Sequence, residues 1–245
     1  MELCVACAER RGAVLGSDVS AGGLIADSFR IVTRYLPTVL LFALVEALAT
    51  QALARGGILL GSDLALSLGL MLVSAAFRVV IEASWISLLA AAARGTPMTP
   101  LEALRAGLPV SVPLFFCNVV FAIAVMFGLV LLIIPGIVLA LGFSLAATAV
   151  VASRRGPIDA LGESWGLSEG HRVSLLLAFL ATGGIGIVVN AAFAAGLAGG
   201  LSFVSLPGSA IVLAATSSLV GTLTFAPMIT VPVLAYLRLQ SRLSG

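Results

Sequence analysis

Three ionisable residues lie inside long apolar runs of the chain: Glu46, Arg78 and Glu82. A charge at the centre of a bilayer costs about 2.5–3.5 kcal/mol on insertion scales, so residues of this kind are usually paired or hydrated. Arg78 and Glu82 are four residues apart and would share one helix face. We expect Arg78 to bridge the two carboxylates. Such a cluster could be a structural ion pair, or it could be a proton or ligand site in a polar cavity that Asn118 and Asn190 would extend.

The rest of the chain carries no recognisable catalytic constellation. It has no nucleophile elbow, no H-E-x-x-H and no phosphate-binding loop, and His171 is its single histidine. Cys4 and Cys7 form a C-x-x-C, but a structural zinc site needs four ligands. Two ordinary thiols are the simpler interpretation, and a metal shared with another subunit is the alternative. We therefore predict a protein that is not an enzyme and that holds no metal or other cofactor.

Composition indicates that lipid surrounds most of the chain. Of its 245 residues, 60% are hydrophobic and 10% charged, whereas soluble domains carry about 25% charged residues. All thirteen basic residues are arginine, and no basic stripe is interleaved with aromatic residues, so we expect no nucleic-acid partner. The expected partners are membrane lipids and, as a further option, other membrane protein subunits.

Six apolar runs are long enough to span a bilayer as helices, which takes about 20 residues each. We predict an all-α, polytopic membrane helix bundle of six transmembrane helices arranged as three hairpins. The predicted spans cover residues 36–53, 64–92, 110–134, 136–152, 173–197 and 211–237. Transmembrane strands are disfavoured, because barrel strands alternate apolar and polar residues and these runs do not.

The arginines predict the orientation. Eleven of the thirteen fall on one side of the predicted spans. The positive-inside rule then places both termini in the cytoplasm. We expect a multi-pass protein of the bacterial inner membrane, with a cytoplasmic N-terminal segment at residues 1–17 and a membrane domain at 18–245.

Three short segments precede the three predicted hairpins and resemble one another: residues 26–30, 101–105 and 158–162. Each reads acidic, small, bulky apolar, then Arg or Gly. This pattern favours a weak threefold repeat of a cytoplasmic interfacial helix followed by a hairpin. Chance similarity of short amphipathic pieces is the alternative.

Small and helix-breaking residues mark two further features. The run from residue 110 to 152 has no charge and is too long for one span, so we predict its turn at Pro135–Gly136. Ala192, Gly196 and Gly200 repeat at helical spacing, which lets helices approach closely. We expect this stripe to pack within the bundle, with dimerisation as the other use.

Six arginines of the predicted cytoplasmic side could contact anionic lipid headgroups, and each contact would contribute about 1 kcal/mol of binding free energy. They are Arg30, Arg34, Arg105, Arg154, Arg155 and Arg172. Ordinary control of topology explains the same arginines.

Several motifs are similar to those of a known family of membrane proteins. They comprise residues 134–137, 157–161, Ser164, Trp165, Leu167 and 170–172, with residues 26–30, 34–35 and 236–238 at the ends. With these the chain resembles the glycerophosphoryl diester phosphodiesterase membrane-domain family and its stand-alone YciC-like relatives. The resemblance implies a multi-pass bacterial membrane protein, sometimes fused to a phosphodiesterase domain, and implies no settled activity for the membrane part. Gly162 stands where a basic residue is common in that family.

Two functions fit these observations. The first is a non-enzymatic scaffold or accessory subunit of a membrane assembly, which binds lipid or a protein partner. The alternative is a transporter or lipid-handling protein that uses the Glu46, Arg78 and Glu82 cluster. A wet cavity that reaches the cluster would favour the alternative, and a dry, closed contact would favour the scaffold.

Overall fold

The computed structural model describes residues 19–60, 64–96, 98–201 and 209–243. The predicted N-terminal segment at residues 1–17, with Cys4 and Cys7, lies outside the described residues. Within the described ranges the chain is all-helical, as predicted. The helices are α1 (Ala21–Arg34), α2 (Leu36–Leu60), α3 (Leu64–Ala93), α4 (Pro100–Gly107), α5 (Ser111–Leu131), α6 (Ile133–Gly142), α7 (Ala146–Ser153), α8 (Pro157–Ser168), α9 (Arg172–Leu201) and α10 (Ser209–Leu243).

Side chains that cap the backbone set the starts of the short helices. The Ser20 hydroxyl accepts the Gly23 N–H at 3.2 Å and begins α1. Thr99 and Glu102 form a reciprocal capping box at α4, with bonds of 2.8 and 3.3 Å. Pro157 occupies the first turn of α8, where its missing N–H costs nothing. Each of the three short segments recognised in the sequence therefore lies on a helix of its own.

The long helices pack as antiparallel neighbours. Phe42 on α2 meets Trp85 on α3, with ring centroids 6.1 Å apart. Gly128 on α5 lies against Gly136 on α6, and α9 packs along α10. Among the described residues five helical segments are long and apolar enough to cross a membrane, and the pair α1 and α2, bent by 83°, adds a sixth if it counts as one span.

One end of the bundle carries the short helices, and we call it the capped end. Helices α1, α4 and α8 lead into the starts of α2, α5 and α9, and the loops before α4 and α8 follow the ends of α3 and α7. The end of α10 joins them there, because it packs against α1. Burial is concentrated toward this end, at residues 79–93 of α3 and 226–239 of α10. Farther along α3, side chains such as Met71 and Leu72 are exposed.

The predicted turn at Pro135–Gly136 is wrong by three residues. The helix breaks at Leu132, whose backbone is extended, and Pro135 lies in the first turn of α6. Proline is tolerated there because first-turn N–H groups have no intrahelical acceptor. Gly136 is needed for close packing instead: a Cβ at that position would come within 2.6 Å of the Leu129 side chain.

The packing predicted for Ala192, Gly196 and Gly200 stays a prediction, because the side chains of residues 198–215 are not among those described. Ala192 is exposed, and a Cβ at Gly196 would meet nothing within 4 Å in the described structure; the side-chain surroundings of Gly200 lie outside the described residues. The glycine that brings α9 close to α10 is Gly186, beside Phe225. Small-residue spacing defines a helix face, but the neighbouring helix decides which face is buried.

The fourth predicted span, residues 136–152, corresponds to one segment that is long and apolar enough to cross a membrane, Ile133–Ser153, but two helices make up this segment. A turn at residues 143–145 separates α6 from α7. Ser164 on α8 closes the gap: its hydroxyl donates to the Gly142 carbonyl at 2.7 Å and accepts the Leu145 N–H at 3.1 Å. Non-helical backbone inside a membrane bundle is tolerated when protein groups satisfy it.

Candidate functional site

The predicted ionisable cluster lies on α2 and α3, but Arg78 does not bridge both carboxylates. Its Nη2 lies 4.0 Å from Glu46 Oε1, and its side chain is 70% exposed. Glu82 has another partner, because Asn118 Nδ2 on α5 donates to Glu82 Oε2 at 2.8 Å. Helix α5 packs against α3 and brings this amide to the carboxylate. The predicted bridge is therefore wrong at Glu82.

Two clefts meet at Glu82. The first, of about 200 Å³, lies between α3, α5, α10 and the turn that joins α6 to α7. The second, of about 220 Å³, lies between α2, α3 and α10. Both are lined by Glu82 and Ile229, and Glu46 and Arg78 line the second. The cluster thus faces open space and is not a closed contact between helices.

Each cleft is also lined by a buried polar residue that lacks a partner. Trp85 is 2% exposed and lines the second cleft, and no group of the described structure bonds its Nε1. Thr148 is 1% exposed and lines the first, and its Oγ1 is likewise without a partner among the described residues. Burying such a group unpaired costs about 1–3 kcal/mol. The clefts therefore carry unused hydrogen-bonding capacity.

The break between α6 and α7 forms one wall of the first cleft. Phe143 and Ser144 of the turn line it, together with Ala146 and Ala147 of the first turn of α7. The Trp165 ring packs directly against Gly142 at the other side of the break, and it leaves no room for a Cβ on that residue. One signal of this arrangement is visible in the sequence, the Ser164–Trp165 pair, but no sequence feature identifies Gly142 as their partner.

A second polar network, at the capped end, was missed by the sequence analysis. Arg238 on α10 is 1% exposed and forms an ion pair with Asp27 on α1. Asp27 also pairs with Arg30 at 2.8 Å. These contacts join the first described helix to the last. The residues were visible as motif positions at the two ends of the chain, but their pairing follows from tertiary contact alone.

The other half of this network surrounds Tyr236. Its hydroxyl donates to Glu163 Oε1 at 2.8 Å and lies 2.6 Å from Ser153 Oγ. Arg155 Nε contacts Glu163 Oε2 at 3.1 Å. The contacts tie α7, α8 and α10 together, which is typical of a structural clamp and not of a ligand site.

The six arginines predicted to contact lipid headgroups fall into two groups. Arg30 and Arg155 pair with acidic residues of this chain, and Arg172 lies 4.1 Å from the Trp165 ring centroid. The other three, Arg34, Arg105 and Arg154, are exposed. Arg154 also ends α7 in a left-handed conformation, with φ of 51°. All six lie on or beside helices of the capped end.

The described residues hold no group of three or more His, Cys, Asp or Glu side chains that could bind a metal ion. Cys117 is buried and lines the first cleft beside Asn118. The chemistry available at the clefts is therefore that of carboxylates, an amide, a guanidinium, an indole N–H and a hydroxyl. Groups of this kind can form hydrogen bonds and ion pairs with polar molecules.

Comparison with known proteins gives a family but no function. Neither a curated protein nor a solved structure matches the chain significantly. A family described as a domain of unknown function, DUF7847, matches residues 54–239. The matched range includes Arg78, Glu82, Asn118 and Thr148, whereas Glu46 precedes it. Because the match covers most of the chain, the protein belongs to the DUF7847 family.

Proposed function

We propose that this protein is an integral membrane protein that binds a small polar ligand in the two joined clefts, in the manner of a transporter or a lipid-handling protein, without catalysing a reaction on it. The position of Glu82 carries the proposal. An ionisable residue that served only to hold two helices together would be enclosed by them, whereas Glu82 lines two open clefts.

The proposed topology has six spans in a bacterial inner membrane, with both termini and the capped end in the cytoplasm. The exposed arginines of the capped end support this orientation through the positive-inside rule. The clefts would then open away from the cytoplasm. Arg78 supports that direction, because it lies one turn farther from the capped end than Glu82 and is largely exposed.

The threefold repeat is part of the proposal. Helices α1, α4 and α8 each precede a pair of long helices. The small residue that follows the acid is fully buried in all three: Ser28, Ala103 and Ala160. Equal burial at equal positions supports three copies of an interfacial helix followed by a hairpin.

A scaffold or accessory subunit is the second candidate function. The exposure of Arg78 favours it, because an arginine that faced lipid would cost about 2.5–3.5 kcal/mol and a partner subunit could supply an acceptor. The resemblance to the glycerophosphoryl diester phosphodiesterase membrane-domain family stays a prediction and fits either candidate.

Water access to the turn between α6 and α7 separates the two candidates. Ser144 lies in this turn, lines the first cleft and is only partly buried, whereas Cys117 is 1% exposed and too enclosed to report on the cleft. With Cys4, Cys7 and Cys117 replaced by serine, we expect a small water-soluble methanethiosulfonate to label the Ser144→Cys variant in membrane vesicles. The matched control carries Val119→Cys in the same background, since residue 119 is exposed on α5 and does not line the clefts; it should face lipid and label slowly. A Ser144→Cys variant that reacts only after denaturation would contradict the open cleft and favour the scaffold.

A further inference from the structure

The first turn of α7 points to the chemistry of the ligand. The first N–H groups of a helix have no intrahelical acceptor and carry partial positive charge. In α7 the Ala146 N–H bonds back to the Phe143 carbonyl, while the N–H groups of Ala147 and Thr148 have no backbone or capping partner within the described chain. Both residues line the first cleft.

Thr148 adds an independent observation. A threonine inside a helix usually bonds the carbonyl four residues earlier, as Thr182 does to Ala178 at 2.7 Å. The Thr148 hydroxyl makes no such bond to any described residue, although it is fully buried. Two backbone donors and a hydroxyl donor thus belong to residues that line one wall of the cleft. A carboxylate would satisfy them, as at the broken helices of transporters whose N-terminal ends face an anionic substrate group.

Glu82 lines the same cleft and needs the opposite kind of partner, a hydrogen-bond donor or a cation. Its Oε2 accepts from Asn118, and a carboxylate has acceptor capacity beyond one hydrogen bond. A ligand ammonium would satisfy it. Apolar side chains complete the lining, among them Ile86, Phe121 and Phe143. The cleft volume of about 200 Å³ is below the ~300–1,000 Å³ of sites for drug-sized ligands, so the ligand must be small.

We infer that the first cleft binds a small zwitterion of the amino-acid class, with its carboxylate on the first turn of α7 and Thr148, its ammonium on Glu82, and an apolar side chain against the aromatic wall. The inference rests on the proposed function, since the ligand must enter from water. It goes beyond that function by naming the substrate class and the residue that binds each end.

Protection of a Ser144→Cys thiol tests the inference, because residue 144 lines the same cleft and is only partly buried. The full chain with this substitution, and with Cys4, Cys7 and Cys117 replaced by serine, is labelled in lipid nanodiscs with and without three probes: L-leucine, L-leucinamide, which lacks the carboxylate, and 4-methylpentanoate, which lacks the ammonium. L-leucine should slow labelling at concentrations at least about tenfold lower than either analogue, since each analogue loses a charge-assisted hydrogen bond.

Substitutions in the cleft identify the residues that bind each end of the ligand. Thr148→Val should raise the half-protecting concentration of L-leucine about tenfold, while Thr148→Ser keeps the hydroxyl and should change it little. Thr182→Val is the matched control, because Thr182 is buried on α9, outside the clefts. Glu82→Gln should weaken protection by L-leucine and by L-leucinamide, but not by 4-methylpentanoate. A single symmetric peak in size-exclusion chromatography and an unchanged melting temperature show that each variant is folded.

The outcomes separate this inference from the proposed function. Equal protection by 4-methylpentanoate and L-leucine would show a site for anions, and equal protection by L-leucinamide a site for cations; either result overturns the zwitterion. If the Ser144→Cys variant is labelled and no probe protects it, the open cleft stands and the inference fails. If it is not labelled at all, both fail.

Discussion

Glu82 and Arg78 share a helix face but lie in different surroundings. Glu82 is held by the Asn118 amide at the junction of two clefts, while Arg78 makes a long contact to Glu46 and extends away from the capped end. The carboxylate therefore has a close partner, and the guanidinium is largely exposed. This arrangement suits a site where a ligand binds the carboxylate.

Replacing Arg78 tests this view at the residue scale. Because its side chain is largely exposed and its contact to Glu46 is 4.0 Å, Arg78→Leu should change stability by less than about 1 kcal/mol. Melting of the purified protein in detergent, followed by tryptophan fluorescence, measures the effect. Arg78→Gln is the control, because it removes the charge but keeps a polar side chain. A large drop in melting temperature for both variants would show that Arg78 is a structural bridge after all.

At the scale of elements, the break between α6 and α7 depends on helix α8. Ser164 supplies the missing hydrogen bonds, Ser168 adds a bond of 3.3 Å to the Gly142 carbonyl, and Trp165 covers Gly142. Helix α8 therefore stabilises the break between α6 and α7. The break leaves the first turn of α7 without a preceding helical turn, and residues of that first turn line the cleft.

Alanine substitutions at two glycines test this packing. Gly142→Ala should destabilise the protein by about 1–3 kcal/mol, because its Cβ would fall within 2.3 Å of the Trp165 ring. Gly162→Ala is the matched control: it lies on α8 with nothing within 4 Å, and removing a helical glycine should stabilise by about 0.5–1 kcal/mol. Thermal unfolding of the two variants should therefore move in opposite directions. Equal, small shifts would contradict the close contact.

At the scale of the whole molecule, one ion pair joins the two ends of the fold. Asp27 on α1 pairs with Arg238 on α10, and the arginine is fully buried. Removing one partner of a buried ion pair typically costs about 3–5 kcal/mol. The pair thus fixes α1 across the capped end of the bundle.

Asp27→Asn should accordingly lower the free energy of unfolding by about 3–5 kcal/mol. The yield of folded protein and the melting temperature measure this loss. Asp159→Asn is the control, because this acid occupies the equivalent place in α8 and is exposed. If both variants melt alike, the ion pair does not hold the ends together.

The proposed topology predicts opposite accessibility at the two ends of the bundle. A cysteine at Leu132, in the tight turn between α5 and α6, should react with an impermeant thiol reagent from the periplasmic side of intact spheroplasts. A cysteine at Gly156, before α8, should react only after the membrane is opened. Both are made in a background without the native cysteines. Labelling of both positions from the same side would contradict the topology.

The helical class, the positions of the long helices and the three short helices could be predicted from local sequence patterns. Apolar runs, capping residues and proline act through neighbours along the chain, within one or two turns. The turn predicted at Pro135–Gly136 was wrong by only three residues, because proline ends many helices but also fits the first turn of a helix, where Pro135 lies.

Which polar groups meet depends on the packing of whole helices. The pairing of Glu82 with Asn118, of Asp27 with Arg238 and of Ser164 with the broken fourth run joins residues far apart in sequence. Spacing tells which residues share a helix face, but the direction that face takes depends on how whole helices pack, and in this chain that packing leaves Glu82 and Thr148 on one cleft.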